Sequence, residues 1–311
     1  MILLCGIPSE APISMVMDEI AKLGLPYVMF NQRMFDEMDL AFAISKGQVK
    51  GKLRIGHGVY RLEDFNGVYF RLMNDQLLPE LKDEPANSPR RRFALALHDS
   101  LMRWCEVTPA RVANRTSAMA SNFSKPYQIQ IIKKYGFMVP ETLITNDPKL
   151  VKHFLHKHQR VIYKSISGVR SVVQMLEQKD LARLDLIRWC PVQFQEYIEG
   201  SNVRVHVIGT RVFATEAIST ATDYRYPQFD EGSSTDLNCF TLSDETARLC
   251  VTLTRQLKLE FAGIDLKITP QGKIYCLEVN TSPGFSYYEL STGQPIAKTL
   301  AQYLGSTNRA D

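Results

Sequence analysis

Apolar residues open the chain in short runs. Residues 2–7 are apolar almost throughout, residues 12–24 carry Met15, Ile20 and Leu23 at helical spacing, and residues 27–30 form a second run. That order predicts strand, helix, strand. AFAISKGQVKGKLRIGHGVYRL alternates apolar and polar positions and is broken by glycines, as hairpins are, and GVYFRL predicts another strand near residue 70. Together these segments predict a small open α/β domain over roughly residues 1–85. DEPANSPRRR marks a boundary near residue 85, with a helix expected from about residue 91 to 105. Ser124 reads as an N-cap, with Pro126 in the first turn and Gly136 closing a helix whose apolar side is Tyr127, Ile131, Ile132 and Tyr135.

From residue 138 strands and helices alternate. ETLIT, RVIYKSI and SVVQML read as strands, with a helix over residues 149–158 between the first two. PVQFQEYI leads to a hairpin, NVRVHVIGTRVFATEAI, turning at Gly209 and Thr210, and a long polar loop is expected over residues 220–237. A helix over residues 243–257 has Asp244 and Glu245 in its first turn, where the helix dipole favours acids. Its Leu249, Leu253 and Leu257 share a face. The chain ends in a hairpin, a loop and a short helix near residues 295–304.

The last hairpin, AGIDLKITPQGKIYCLEVN, carries the strongest chemical signal. Ile264, Leu266 and Ile268 alternate with Asp265 and Lys267, and Leu277 and Val279 alternate with Cys276, Glu278 and Asn280. A one-residue slip turns a strand over, so both apolar sets must share one face. A turn centred on Gln271 and Gly272 then sets Asp265 opposite Glu278, with Asn280 one pleat further on the same face. Facing carboxylates repel unless a cation sits between them. Two carboxylates and an amide oxygen, without His or Cys, suit magnesium, which shares its shell with phosphates; the set therefore implies a nucleotide. The same pattern also fits two acids solvated on an exposed face and paired with Lys267.

Composition narrows the class. Of 311 residues 45% are hydrophobic and 23% charged, as in a globular protein, and the net charge of +4 is too mild to indicate nucleic acid. The one dense basic run, Arg90, Arg91 and Arg92, fits a solvated helix face as well as a phosphate or peptide contact. The six cysteines are scattered without a CxxC pair, and most sit among apolar neighbours and read as small buried hydrophobes in a reducing compartment. No apolar stretch reaches membrane-spanning length and the start lacks signal-peptide character, so no membrane partner and a cytoplasmic location are expected. His98, His153, His156 and His158 sit on expected helices and fit no triad or metal spacing.

LEVNTSPG resembles the C-terminal signature of ATP-grasp enzymes, where an acid and an asparagine hold magnesium, and FAGIDLKI resembles the preceding strand, which supplies a third ligand. In these motifs the chain resembles the RimK-type glutamate ligases and the microviridin-type (graspetide) peptide ligases. NRTSAMASNFSKPYQIQ, ETLITNDP and the hairpin-rich start followed by GVYFR resemble the second group. The resemblance implies an α/β (α+β) ATP-grasp fold with an N-terminal pre-ATP-grasp α/β domain over residues 1–113. A central subdomain over 114–195 and a C-terminal subdomain over 196–311 would follow.

Position by position, the resemblance makes Asp265, Glu278 and Asn280 the metal ligands. It brings Lys125 and Lys164 to the phosphates and gives the adenine edge to the hinge residues Gln195, Glu196, Tyr197 and Ile198. Glu199 is placed at the ribose, Arg204 near the transferred phosphate, and Asp223 and Arg225 on a loop over the γ-phosphate and acceptor. SISGVRSVV stands where the family has a phosphate-covering loop that is often glycine-rich. It has one glycine, Gly168. The resemblance places Ser167, Gly168 and Arg170 at the nucleotide. Either Arg170 and Ser171 supply side-chain donors in place of backbone cradling, or the loop is simply short, with nucleotide turnover slower or dependent on a partner. Asn202 stands where relatives often carry an acid.

The implied cofactors are ATP and Mg2+, with Mn2+ as a substitute. The implied reaction activates a carboxylate as an acyl phosphate for attack by an amine or hydroxyl. The partner would be a peptide or amino-acid substrate, a ribosomal precursor peptide among the candidates, and relatives lead us to expect a homo-oligomer. An ATP-grasp kinase acting on an alcohol and a non-catalytic nucleotide-binding module remain the alternatives.

Overall fold

The computed structural model describes residues 1–166, 173–219 and 235–306. The expected strand–helix–strand opening is β1 (Ile2–Gly6), α1 (Ala11–Lys22) and β2 (Tyr27–Asn31). The glycine-broken stretch forms an antiparallel sheet of β3 (Met38–Ser45), β4 (Gln48–Ile55) and β5 (Gly58–Arg61). After it come β6 (Gly67–Phe70), α2 (Pro89–Val107) and β7 (Arg111–Ala113), giving a parallel sheet ordered β2-β1-β6-β7. Helix α2 starts early because Ser88 caps it, accepting the Arg91 N–H, with Pro89 in the first turn.

A short helix, α3 (Thr116–Met119), precedes α4 (Lys125–Lys134), which Ser124 caps as expected. The buried face of α4 differs from the expected one. Lys125, Gln128, Ile129 and Ile132 are buried, while Tyr127 is 58% exposed. The helix is rotated so that two polar side chains face the sheet beneath it, which apolar periodicity alone could not reveal.

The central unit runs β8 (Thr142–Thr145), α5 (Pro148–His158), β9 (Val161–Ser165), β10 (Gln174–Met175), α6 (Gln178–Leu181) and β11 (Val192–Glu196), with sheet order β10-β9-β11-β8. One sheet face buries Val161 and Phe194 against Val151 and Phe154 of α5. Alternation puts Lys164 and its cross-strand partner Gln193 on the other face.

The C-terminal sheet, ordered β14-β13-β12-β15-β16, holds β12 (Ser201–Ile208), β13 (Arg211–Ser219), β14 (Thr235–Phe240), β15 (Phe261–Ile268) and β16 (Ile274–Asn280). Val203, Val205, Val207, Ile264 and Val279 bury one face against Ile132 of α4 and Cys250 and Leu253 of α7 (Asp244–Gln256). Strand β14 corrects the expectation of a polar loop as far as residue 237. Its residues include the polar Thr235, Asp236 and Asn238, and pairing with β13 makes the whole segment a strand. Residues 220–234 of that expected loop lie outside the described residues. Helix α8 (Ser286–Thr292), only seven residues long, forms where the sequence predicts a loop. The last helix, α9 (Ile296–Gly305), returns to the start of the chain, where Ile296, Leu300 and Leu304 pack with Ile13, Val16 and Ile20 of α1. Cys5, Cys105, Cys250 and Cys276 are buried as expected, and Cys190 and Cys239 are exposed. Among the described residues no helix is long and apolar enough to cross a membrane.

Candidate functional site

The last hairpin pairs Asp265 with Glu278, as expected, but by an unexpected route. Near the turn the ladder sets Ile268 opposite Ile274 and Leu266 opposite Cys276, one residue away from the expected register. A β-bulge at Leu277 then restores it. Without the extra residue, Leu277 would oppose Asp265, and Glu278 would face the core opposite Ile264. The bulge turns Glu278 back to the outer face, the re-aiming that bulges provide beside functional sites. It also corrects the expected alternation: Cys276 and Val279 are the buried residues, and Leu277 is not. Asn280, opposite Gly263, completes the row on the outer face.

Each carboxylate has a cation beside it. Arg204, opposite Asp265 on β12, donates from Nη1 to Asp265 Oδ1 at 2.8 Å. Lys125, at the start of α4, places Nζ 2.8 Å from Glu278 Oε1 and also donates to Asn122 Oδ1 at 3.1 Å. All four side chains are at least largely buried, the most open being Glu278 at 20% exposure. The reading of two solvated acids paired with Lys267 is therefore corrected. Lys267 instead donates to the Gly200 carbonyl at 2.8 Å. Facing acids that carry their own cations meet the electrostatic requirement the sequence raised.

Neutral contacts hold this row in place. Gln128 donates from Nε2 to the Val279 carbonyl at 2.8 Å and accepts the Val279 N–H at 3.0 Å, tying α4 to β16 and explaining its buried polar face. The buried Asn114 side chain accepts the Glu260 and Phe261 N–H groups and donates to the Phe261 and Thr281 carbonyls, clamping the entry of β15 to the exit of β16. Arg71, from the N-terminal unit, pairs with Glu10 at 2.5 Å and donates to the Pro283 carbonyl at 3.0 Å, in the segment following Asn280. Gly263 has no room for a side chain: a Cβ there would lie 2.3 Å from Arg204 Nη2 and 2.8 Å from Pro283 Cβ. The Arg204 guanidinium carbon sits 5.7 Å from the Tyr288 ring centroid. His206, fully buried two residues along β12, lies 3.4 Å from the Gly284 carbonyl. Burial, and secondarily the Arg204 charge, push its pKa well below the ordinary histidine range.

The central sheet supplies less. Lys164 is half-buried beside Gln193, on the face away from α5. At the hinge, Gln195 donates to Thr142 Oγ1 at 3.0 Å, and the Glu196 carboxylate accepts the Glu141 N–H at 2.8 Å. The Glu196 and Tyr197 N–H groups are bound to the Glu141 and Arg160 carbonyls at 3.0 Å each. Tyr197 has the Arg160 guanidinium 4.0 Å from its ring centroid on one side and Lys267 Nζ at 5.8 Å. Glu199 is largely exposed and lies 3.4 Å from Arg160. Burial lowers the Lys267 pKa, with Glu199 opposing. Ser167, Gly168, Arg170 and Ser171, and Asp223 and Arg225, lie outside the described residues.

The outer face of the last hairpin suits a hard divalent ion. Two carboxylates and one amide are oxygen donors, and among the described residues no group of three His, Cys, Asp or Glu side chains converges as in a zinc cage. Asn280 Oδ1 accepts the Ser282 N–H at 3.0 Å and keeps a second lone pair. Sequence reasoning missed Gln128, Asn114, Arg71 and Gly263. Only Gly263, directly before the Ile264–Asp265 pair, carried a local signal, since a glycine inside a strand indicates close approach.

Residues 123–304 match the model of the RimK-like ATP-grasp domain. A probable alpha-L-glutamate ligase of Haemophilus influenzae is 26% identical over 201 residues, a stretch covering 61% of this chain and 65% of that protein. A solved structure of the ATP-grasp ligase PsnB, complexed with minimal precursor, Mg and ADP, is similar at TM-score 0.75 and 26% identity, over 97% of this chain and 96% of that one. The Chryseobacterium gregarium RiPP-associated ATP-grasp ligase, in complex with ADP and a leader and core peptide, shares the fold at TM-score 0.81. Its identity is 22%, over 99% of this chain and 97% of that one.

Proposed function

This chain belongs to the RimK-like ATP-grasp family, and we propose that it is an ADP-forming ligase that joins a carboxylate to an amine or hydroxyl on a peptide substrate. The observation that carries the proposal is the row of Asp265, Glu278 and Asn280 on one sheet face, with Lys125 and Arg204 already paired to the two acids. We assign those three residues to magnesium. The two similar peptide-bound ligases, both complexed with ADP and one also with Mg, support the cofactor and the substrate class. The division into residues 1–113, 114–195 and 196–311 belongs to the same proposal.

Bound there, magnesium would neutralise charge developing on phosphoryl oxygens. The chain's own residues position and stabilise. Lys125 and Arg204 are placed to exchange their carboxylate partners for phosphate oxygens when a nucleotide enters. Lys164 approaches from the opposite wall of the cleft, and the hinge presents backbone groups, the Ile198 N–H among them, to the base. ATP would phosphorylate the substrate carboxylate, releasing ADP. Attack by the amine or hydroxyl on the acyl phosphate would then release inorganic phosphate. Fixed cations aimed at developing charge supply the rate, and no nucleophilic side chain is required.

The test is product identity in a screen of peptides and amino acids with magnesium–ATP. Equal amounts of ADP and inorganic phosphate, with a product lighter by one water than the groups it joins taken together, support the ligase. A stable phosphorylated product identifies a kinase instead, and no nucleotide turnover with any acceptor supports a binding module.

A further inference from the structure

Between the central and C-terminal sheets, beside the hinge, lies a cavity of about 550 Å3 lined in part by Met175, Tyr197, Asn202 and Lys267. Lys267 is two residues beyond Asp265 on the same face of β15, about 7 Å along the strand from the proposed metal row. Its Nζ reaches the Gly200 carbonyl at 2.8 Å and stands 5.8 Å from the Tyr197 ring, so its tip lies on the hinge side of that row. Directly opposite on β12 is Asn202, a neutral side chain. The acid that acts on Lys267, Glu199, has a side chain 76% exposed and pairs with Arg160. Among the described residues Lys267 forms no ion pair.

A half-buried ammonium matched only by a carbonyl and the face of a ring 5.8 Å away is incompletely compensated, and an anion entering the cleft would complete it. Asp265 and Glu278 have their cations at hand; Lys267 has none of the opposite sign. Asp265 and Lys267 show this contrast on one strand, two residues apart.

Resting on the nucleotide reading above, we propose that Lys267 binds the α-phosphate of the nucleotide, opposite the wall that carries Lys164. The terminal phosphates belong with the metal row and the base with the hinge. What spans the interval is the α-phosphate and the ribose, and only the phosphate carries charge. Lys267 is then a specificity residue that separates nucleotides from nucleosides.

The experiment is calorimetric titration of the full chain with ADP, AMP and adenosine in the presence of magnesium. It compares the native chain with Lys267→Met, which keeps the length of the side chain, and with Lys267→Arg, which keeps its charge. ADP and AMP should each bind about tenfold more weakly to Lys267→Met, the size expected for one charge-assisted contact. Adenosine should bind unchanged, and Lys267→Arg should recover most of the loss. ADP affinity unchanged in Lys267→Met overturns the assignment, and so does an equal loss for adenosine, which would mean a contact to ribose or base. If Lys267→Met does not fold, the Arg variant decides, because near-native ADP binding supports the charge role and a tenfold loss opposes it. A native chain that binds none of the three would defeat the nucleotide site itself, a result distinct from failure at Lys267.

Discussion

The two walls of the cleft are built differently. On the C-terminal wall, β12 and β15 pair over eight residues, and every charged group in the row of Asp265 and Glu278 has a partner. Asn114, Gln128 and Arg71 tie that wall to three other parts of the chain. On the central wall the strands span two to five residues, and Lys164 projects from a sheet whose packing lies on its far side. The proposed metal end of the site is therefore held by ion pairs and hydrogen bonds before ligand arrives, whereas the central wall rests on shorter strands. Side chains locked by packing and by further hydrogen bonds hold catalytic geometry best, which fits the placement of the chemistry on the first wall.

That contrast predicts graded effects. Glu278→Gln should lower turnover by roughly 100- to 1000-fold, the range for removing one electrostatic group that acts in the transition state. Circular dichroism should stay native, because the amide still offers an oxygen to Lys125. Near-native turnover would contradict the rigid-wall account.

Gly263→Ala should reduce turnover by about tenfold or more, since a Cβ 2.3 Å from Arg204 must displace the guanidinium from Asp265. Unchanged rates would mean that Arg204 need not lie where it does. On the softer wall, Lys164→Ala should weaken ADP binding by about tenfold and leave the melting temperature within a few degrees. A large loss of stability there would place Lys164 in the fold rather than in the site.

Much of this was legible in the sequence, because alternation and turn residues report which face a strand buries. The opening α/β unit, the Ser124 cap and the Asp265–Glu278 pairing all followed from local pattern. The bulge at Leu277 did not, since two small errors of register cancelled at the residues of interest. The buried polar face of α4 was hidden for a related reason. Gln128 is inside because it bonds the backbone of a strand 151 residues away, and no local periodicity encodes that contact. Strand β14 and helix α8 likewise depend on neighbours from elsewhere in the chain.

The proposed function requires a divalent ion held by Asp265, Glu278 and Asn280 together with nucleotide. Electron paramagnetic resonance of Mn2+, used as a spectroscopic substitute for magnesium, measures this without turnover. With ADP present the native chain should bind one Mn2+ per protein, and without ADP much more weakly, because Lys125 and Arg204 already neutralise the two acids. Glu278→Gln should lose the ADP-dependent signal. Equal Mn2+ affinity in the variant and the native chain, with ADP bound, would contradict the assignment.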